Sequence, residues 1–200
     1  MKKLSLVLTV LALVGLAFTN PVEVVNYKVD ASQSSVKWIA KKVTGQHHGS
    51  VSVKSGNLEY TDGLLSGGQF VMDMTTIQVL DLKGNMAAKL GGHLKSADFF
   101  DVENHNEAVF SITKVVSRGT PGAYKVVGDL TVKGITAPVT LPIVQLNEEE
   151  DGVTTSEELT ITIDRTAYNI KYGSGTFFGN LGDKTIYDDF DLVVSIKATK

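Results

Sequence analysis

From residue 34 onward, apolar and polar positions alternate with a period of two along most of this chain, and helical spacing is nearly absent. Successive side chains of a strand point to opposite faces, so this pattern predicts a series of half-buried strands. Residues 34–43 form the first, carrying Trp38. Residues 50–60 form the second, with Gly56 expected at a bulge. Thr61-Asp62-Gly63 is turn chemistry, because Asp-Gly readily supplies positive φ. Residues 66–77 then place Phe70, Met72 and Met74 on one face, opposite Val71 and Asp73. Residues 108–116 set Phe110 and Ile112 against Ser111 and Thr113. Residues 123–134 set Leu130 and Val132 against Asp129, Thr131 and Lys133. Val139, Leu141 and Ile143 share a face in 137–146, and Leu159, Ile161 and Ile163 do so in 157–165. Leu192, Val194 and Ile196 close the series in 190–198.

These segments amount to eight strands, and short connections favour antiparallel neighbours. Such a set buries its apolar face in a closed barrel or in a two-sheet sandwich, and alternation alone does not choose. One segment breaks the pattern. Residues 85–96 have helical character, with Asn85 as N-cap, Gly91 or Gly92 as the stop and Ser96 capping the next turn. They begin an insert between the third and fourth strands that runs on through "GHLKSADFFDVENHNEAVF", residues 92–110. Connections of this length in compact β-domains are often lids, and Phe99 and Phe100 give a lid something apolar to insert.

The amino terminus follows a different rule. A basic "MKK" precedes an uncharged apolar run from Leu4 to Phe18, followed by Thr19-Asn20-Pro21. The run is shorter than the ~20 residues of a membrane span, so residues 1–19 read as a secretory signal peptide, with an uncleaved anchor as the alternative. The expected location is periplasmic or secreted. The chain has no cysteine, which removes disulfides, thiolate ligands, a cysteine nucleophile and a lipid-modified cysteine. Without Lys2 and Lys3 the 19 basic residues become 17 against 22 acidic ones, a formal −5. That balance argues against a nucleic-acid partner.

His47, His48, His93 and His105 raise a metal hypothesis, but zinc or copper needs three or four converging ligands. His47 and His48 point to opposite faces if their segment is extended, which favours polar loop histidines and leaves metal binding as an alternative. No GxSxG, HExxH or phosphate-loop motif is present, so neither an enzyme nor a cofactor is expected. Arg165 is expected to pair with a carboxylate such as Asp191 or Asp98. The apolar face either fills a core or lines a cavity. Met72 and Met74 on one face offer an adaptable lining.

Several spaced segments resemble one family. "HLKSADFFDVENHNEAVF" is similar to the HLxSxDFFDVExxPxxxF signature of the YceI-like, polyisoprenoid-binding proteins. "YKVDASQSSVKW", "YKVVGDLTVKGITAPVTL", "IDRTAYNI" and "LGDKTIYDDFDLVVSIKA" resemble further family segments in the same order. The likeness spans roughly residues 27–197 and implies a lipocalin-like antiparallel barrel over 27–200 with a long interior pore. Where the family commonly has proline, this chain has Asn106-Glu107, which implies a less rigid loop. The implied partner is an isoprenoid or other long-chain lipid, a polyprenyl compound or an isoprenoid quinone, with transient membrane contact and a monomeric or dimeric carrier. The implied ligand-binding residues are Trp38, Phe70, Met72, Met74, Phe99, Phe100, Phe110, Ile112, Leu130 and Val132. Leu141, Ile161, Ile163, Tyr168, Leu192 and Val194 complete the lining, and His93 either orients the insert or meets a headgroup at the pore mouth.

Overall fold

The structure is a computed structural model and describes residues 22–149 and 152–200. The signal-peptide segment therefore lies outside the described residues, as do Glu150 and Asp151 of the acidic loop. The strands are β1 Val24–Val29, β2 Ser35–Lys42, β3 Gly45–Thr61, β4 Leu64–Val79, β5 Glu107–Ser117 and β6 Ala123–Val132. They continue with β7 Ile135–Glu149, β8 Val153–Ser156, β9 Leu159–Asp164, β10 Ile186–Ser195 and β11 Lys197–Thr199. The helix α1, Gly84–Lys95, lies between β4 and β5, where the sequence places the insert.

Eleven strands replace the eight expected, yet they trace eight long paths. β1 and β2 run successively along β3, pairing with its far and near halves. β11 and β10 follow β1 and β2, and β8 and β9 follow them in turn. Three of the long strands are thus broken at mid-length. β1 joins β11 to β3, which closes an eight-stranded hydrogen-bonded ring of antiparallel neighbours. Two wholly separate sheets would leave both ends unpaired, whereas here β1 links the two ends.

The ring is complete only along the β8 half. β7 pairs with β8 from Leu146 to Glu149, and its earlier part has no ladder to β9. Pro138 and Pro142 lie in that earlier part, at positions of equal parity. The ladder to β6 runs past Pro138, so the missing N–H groups fall on the side facing β9. Prolines are confined to edges of sheets for this reason.

Gly128 and Gly49 mark close approaches. A Cβ on Gly128 would lie 2.5 Å from Phe110 Cζ, and one on Gly49 would collide with the Gln78 carbonyl oxygen. Gly56, expected at a bulge, pairs in register with Phe70, and the irregularities fall on either side of it.

The helix differs from its prediction at both ends. Lys83 takes the N-cap position without a side-chain hydrogen bond, and α1 continues through Gly91 and Gly92 to Lys95. Each glycine costs about 1 kcal/mol relative to alanine. Burial of Leu94 one turn later offsets this by roughly 1.5–3 kcal/mol. Ser96 then ends the helix, its Oγ donating to the His93 carbonyl at 2.7 Å. No helix among the described residues is long and apolar enough to cross a membrane.

Candidate functional site: two apolar chambers within the ring

The inward faces of the strands do not fill the ring. A lower chamber of about 120 Å³ lies between β4–β7 and β9–β10. Phe70, Met72, Phe110, Ile112, Leu130, Leu141, Ile161, Ile163, Leu192 and Val194 line it. Its one polar side chain is Ser156, whose Oγ accepts from Ile196 N at 2.8 Å. An upper chamber of about 100 Å³ lies toward the insert, bounded by Trp38, Met72, Met74, Phe99, Phe100, Leu130, Val132 and Leu192. An apolar cavity of about 150 Å³ is enough to take up benzene, so each chamber is on the scale of a small hydrocarbon.

Four residues border both chambers: Val36 on β2, Met72 on β4, Leu130 on β6 and Leu192 on β10. They form the wall shared by the two chambers, at the waist of the ring.

The insert closes the upper end. Phe99 and Val102 are buried, and Leu94, Phe99 and Phe100 face the chamber. The segment after α1 holds itself by backbone bonds, Phe100 N to Leu94 O at 3.1 Å and His105 N to Asp101 O at 2.8 Å. Lys95 Nζ donates to Thr75 O at 2.7 Å and Lys133 Nζ to Ala97 O at 2.6 Å, tying it to the neighbouring strands.

His93 and Tyr168 border neither chamber. His93 faces outward, its ring edge-on to Phe99 at 4.9 Å and to Tyr172 at 4.5 Å, with Nε2 3.3 Å from Asp98. It joins the insert to the loop that follows the 3-10 turn Arg165–Tyr168. Tyr168 is buried within that turn, and burial raises its pKa. The other expected lining residues all border a chamber. The sequence reading missed Val36, Ile170, Ile186 and Phe190. Val36 shares its face with Trp38 two residues on and was legible, whereas Ile170 sits in a loop without alternation.

Arg165 pairs with neither Asp191 nor Asp98. Its Nε donates to Tyr187 O at 3.1 Å, Nη1 to Ile170 O and Tyr172 O at 2.9 Å each, and Nη2 to Ile186 O at 3.1 Å. Nη2 also lies 3.1 Å from Asp188 Oδ1, the ion pair that replaces the expected ones. Asp191 instead accepts from Thr162 and Lys41, which hold its carboxyl below the usual range. Trp38, 6% exposed, keeps its indole N–H buried with no acceptor among the described residues. A buried unpaired donor costs about 1–3 kcal/mol.

The histidines do not converge, and His47, His93 and His105 each sit beside a carboxylate. His47 Nδ1 is 2.7 Å from Asp81, and His105 Nε2 is 4.0 Å from Asp101. No three metal-ligating side chains converge among the described residues. Outside the insert, Asp98, Lys133, Lys171, Tyr172, Phe178 and Lys184 border a surface cleft of about 430 Å³.

An all-β ring around an apolar interior, covered at one end by a helical insert, defines a class of cavity-bearing β-fold. Within that class, the family model for the YceI-like domain matches residues 27–198, and the chain belongs to that family. A Photorhabdus laumondii protein described as a UPF0312 protein is 33% identical over 62% of this chain and 60% of its own length. A UPF0312 protein of Pseudomonas putida is 30% identical over 76% of this chain and 73% of its own. Among solved structures, Burkholderia cenocepacia BcnA superposes with a TM-score of 0.66 at 22% identity, covering 86% of this chain and 99% of that one. A Saccharophagus degradans protein described as a polyisoprenoid binding domain implicated in plant cell wall breakdown gives a TM-score of 0.61 at 12% identity, over 86% and 97%. At these identities the structural likeness concerns the fold.

Proposed function

We propose that this chain is an exported carrier that holds an isoprenoid-type lipid inside the ring, used as a lipocalin-like barrel. The observation that carries the reading is the apolar interior, two chambers that share the wall formed by Val36, Met72, Leu130 and Leu192. The description of the Saccharophagus degradans neighbour as a polyisoprenoid binding domain supports the ligand class. Export is supported by the basic leader and the apolar run from Leu4 to Phe18.

Burying one CH₂ gains about 0.8 kcal/mol, so a five-carbon isoprene unit contributes roughly 3–4 kcal/mol before ordering costs. A few units give tight binding with no charged contact. The reading is of binding and not of catalysis, supported by the engagement of the Arg165 guanidinium with backbone carbonyls and Asp188. Loading from a membrane surface belongs to the same reading. It is supported by the exposed rings of Tyr172, Phe177 and Phe178 close to Lys171 and Lys184.

The test is equilibrium binding of prenyl chains of increasing length, compared with straight-chain lipids of equal carbon number. Affinity for the prenyl series rises with each added unit until both chambers are full. Equal, weak binding of every chain at every length overturns the proposal.

A further inference from the structure

A turn built on Ser174 holds two phenylalanines out in water. Ser174 is fully buried, its carbonyl accepting from Phe178 N at 3.0 Å and its Oγ from Thr176 N at 3.2 Å. Thr176 Oγ1 donates to Asp188 Oδ2 at 2.7 Å, which ties the turn to the carboxylate beside Arg165. Phe177 and Phe178 are nevertheless 44% and 49% exposed. Their exposure is built into the fold, so a partner that covers them meets little ordering cost.

Cations surround these rings. Lys171 Nζ lies 4.8 Å from the centre of the Phe177 ring, and Lys133, Lys171 and Lys184 border the outer cleft together with Phe178 and Tyr172. None of the three lysines is in an ion pair among the described residues. The one carboxylate bordering the cleft, Asp98, lies 3.3 Å from His93 Nε2. The whole chain carries 19 basic against 22 acidic residues, so the patch runs against its net charge. Aromatic rings settle at the headgroup level of a bilayer, and lysines beside them are drawn to anionic lipids.

The cleft also lies back to back with the upper chamber. Three chain segments give neighbouring residues to both: Asp98 to the cleft and Phe99 to the chamber, Lys133 and Val132, Lys171 and Ile170. The Phe99 and Tyr172 rings meet across that wall, their centroids 5.5 Å apart.

Resting on the carrier reading, we propose that this face docks the protein on an anionic lipid surface. Phe177 and Phe178 enter the headgroup zone, and Lys171 and Lys184 pair with lipid phosphates. Docking turns the Phe99–Tyr172 wall of the upper chamber toward the bilayer, the side from which a prenyl lipid arrives.

The experiment is flotation of the mature protein with vesicles of phosphatidylcholine alone or mixed with phosphatidylglycerol, neither containing a prenyl lipid. The mixed vesicles are expected to carry the protein, and added salt to release it. Each lysine near such a surface contributes about 5-fold, so Lys171→Gln with Lys184→Gln weakens docking about 10- to 30-fold. Lys133 is left in place because its ammonium holds Ala97 of the insert. Phe177→Ser with Phe178→Ser weakens docking about 10-fold while the strand signal in circular dichroism is kept. Lys28→Gln with Lys114→Gln, exposed on β1 and β5, leaves docking unchanged. No flotation, no preference for the mixed vesicles, or equal loss from the two lysine pairs overturns the docking face. Release by inorganic phosphate at constant ionic strength assigns the lysines to a free anion and overturns it as well. Prenyl-chain binding in solution is scored separately, and its absence with docking intact removes the carrier reading and leaves the docking face standing.

Discussion

Arg165 Nη2 stands 3.1 Å from Asp188 Oδ1, and the same guanidinium gathers four backbone carbonyls between Ile170 and Tyr187. Burial pulls the guanidinium below its ordinary pKa, while Asp188 and Asp164 oppose that shift. Arg165 therefore works as an internal clamp that holds the Tyr172 loop against β10, and with it the ring that meets His93 on the insert.

Removing the clamp leaves the half-buried Asp188 carboxylate without its counter-charge and four carbonyls without their donor. Arg165→Ala is expected to lose about 3–5 kcal/mol of stability in urea unfolding. Arg165→Lys restores little, because one ammonium lacks the planar fork that reaches several carbonyls at once. Full rescue by lysine contradicts the clamp.

Phe99 and Phe100 line the upper chamber beside the insert, and the carrier proposal makes them the gate for ligand exchange. Phe99→Ala with Phe100→Ala is expected to speed ligand exchange several-fold, with the strand signal in circular dichroism retained. The insert itself loses stability, about 3 kcal/mol or more for the buried Phe99. Unchanged exchange kinetics counts against the insert as a gate.

Met72 borders both chambers, and the carrier proposal makes its bulk the control on passage between them. Met72→Phe narrows the waist at an overpacking cost of about 1–3 kcal/mol. Long prenyl chains then lose affinity, while a chain that fits one chamber keeps it. Equal loss for short and long chains, measured in one titration series, places the ligand elsewhere.

The two ends of the account were unequally legible. Residues 70–74, 108–112, 128–132 and 137–141 alternate cleanly, so Phe70, Phe110, Leu130 and Leu141 could be placed on the inner face from spacing alone. A register irregularity between β6 and β7 past Leu141 leaves Ile143 exposed, against the expectation that it shares the face of Val139 and Leu141, and turns Val144 and Leu146 inward. β8 carries only Val153-Thr154-Thr155-Ser156, too short and too polar to stand out, and β1 begins with the adjacent valines 24 and 25. Both strands exist because their neighbours along the ring supply partners. The chambers were not legible at all. Whether facing apolar residues meet or leave space depends on summed side-chain volume and on the mid-length breaks. The unpaired Trp38 N–H is a fact about its surroundings and not about its own identity.

Tyr60 is buried against Tyr27, with ring centroids 5.1 Å apart, and desolvation pushes its phenol up to about 12. The folded value lies above the ordinary 10.0, so the stabilisation is complete below that pH and fades as pH rises toward about 12. Stability is expected to fall in this alkaline window, with phenolate absorbance appearing together with loss of strand signal. Tyr60→Phe moves that transition to higher pH. Ionisation of every tyrosine near pH 10 without unfolding contradicts the burial argument.

The central claim is that the ring carries a lipid, and native mass spectrometry of the mature protein from its own source tests it most directly. The account predicts a co-purifying species that solvent extraction releases and whose fragments are spaced by isoprene units. A mass equal to the bare chain, unchanged after incubation with quinones and polyprenyl lipids, contradicts it.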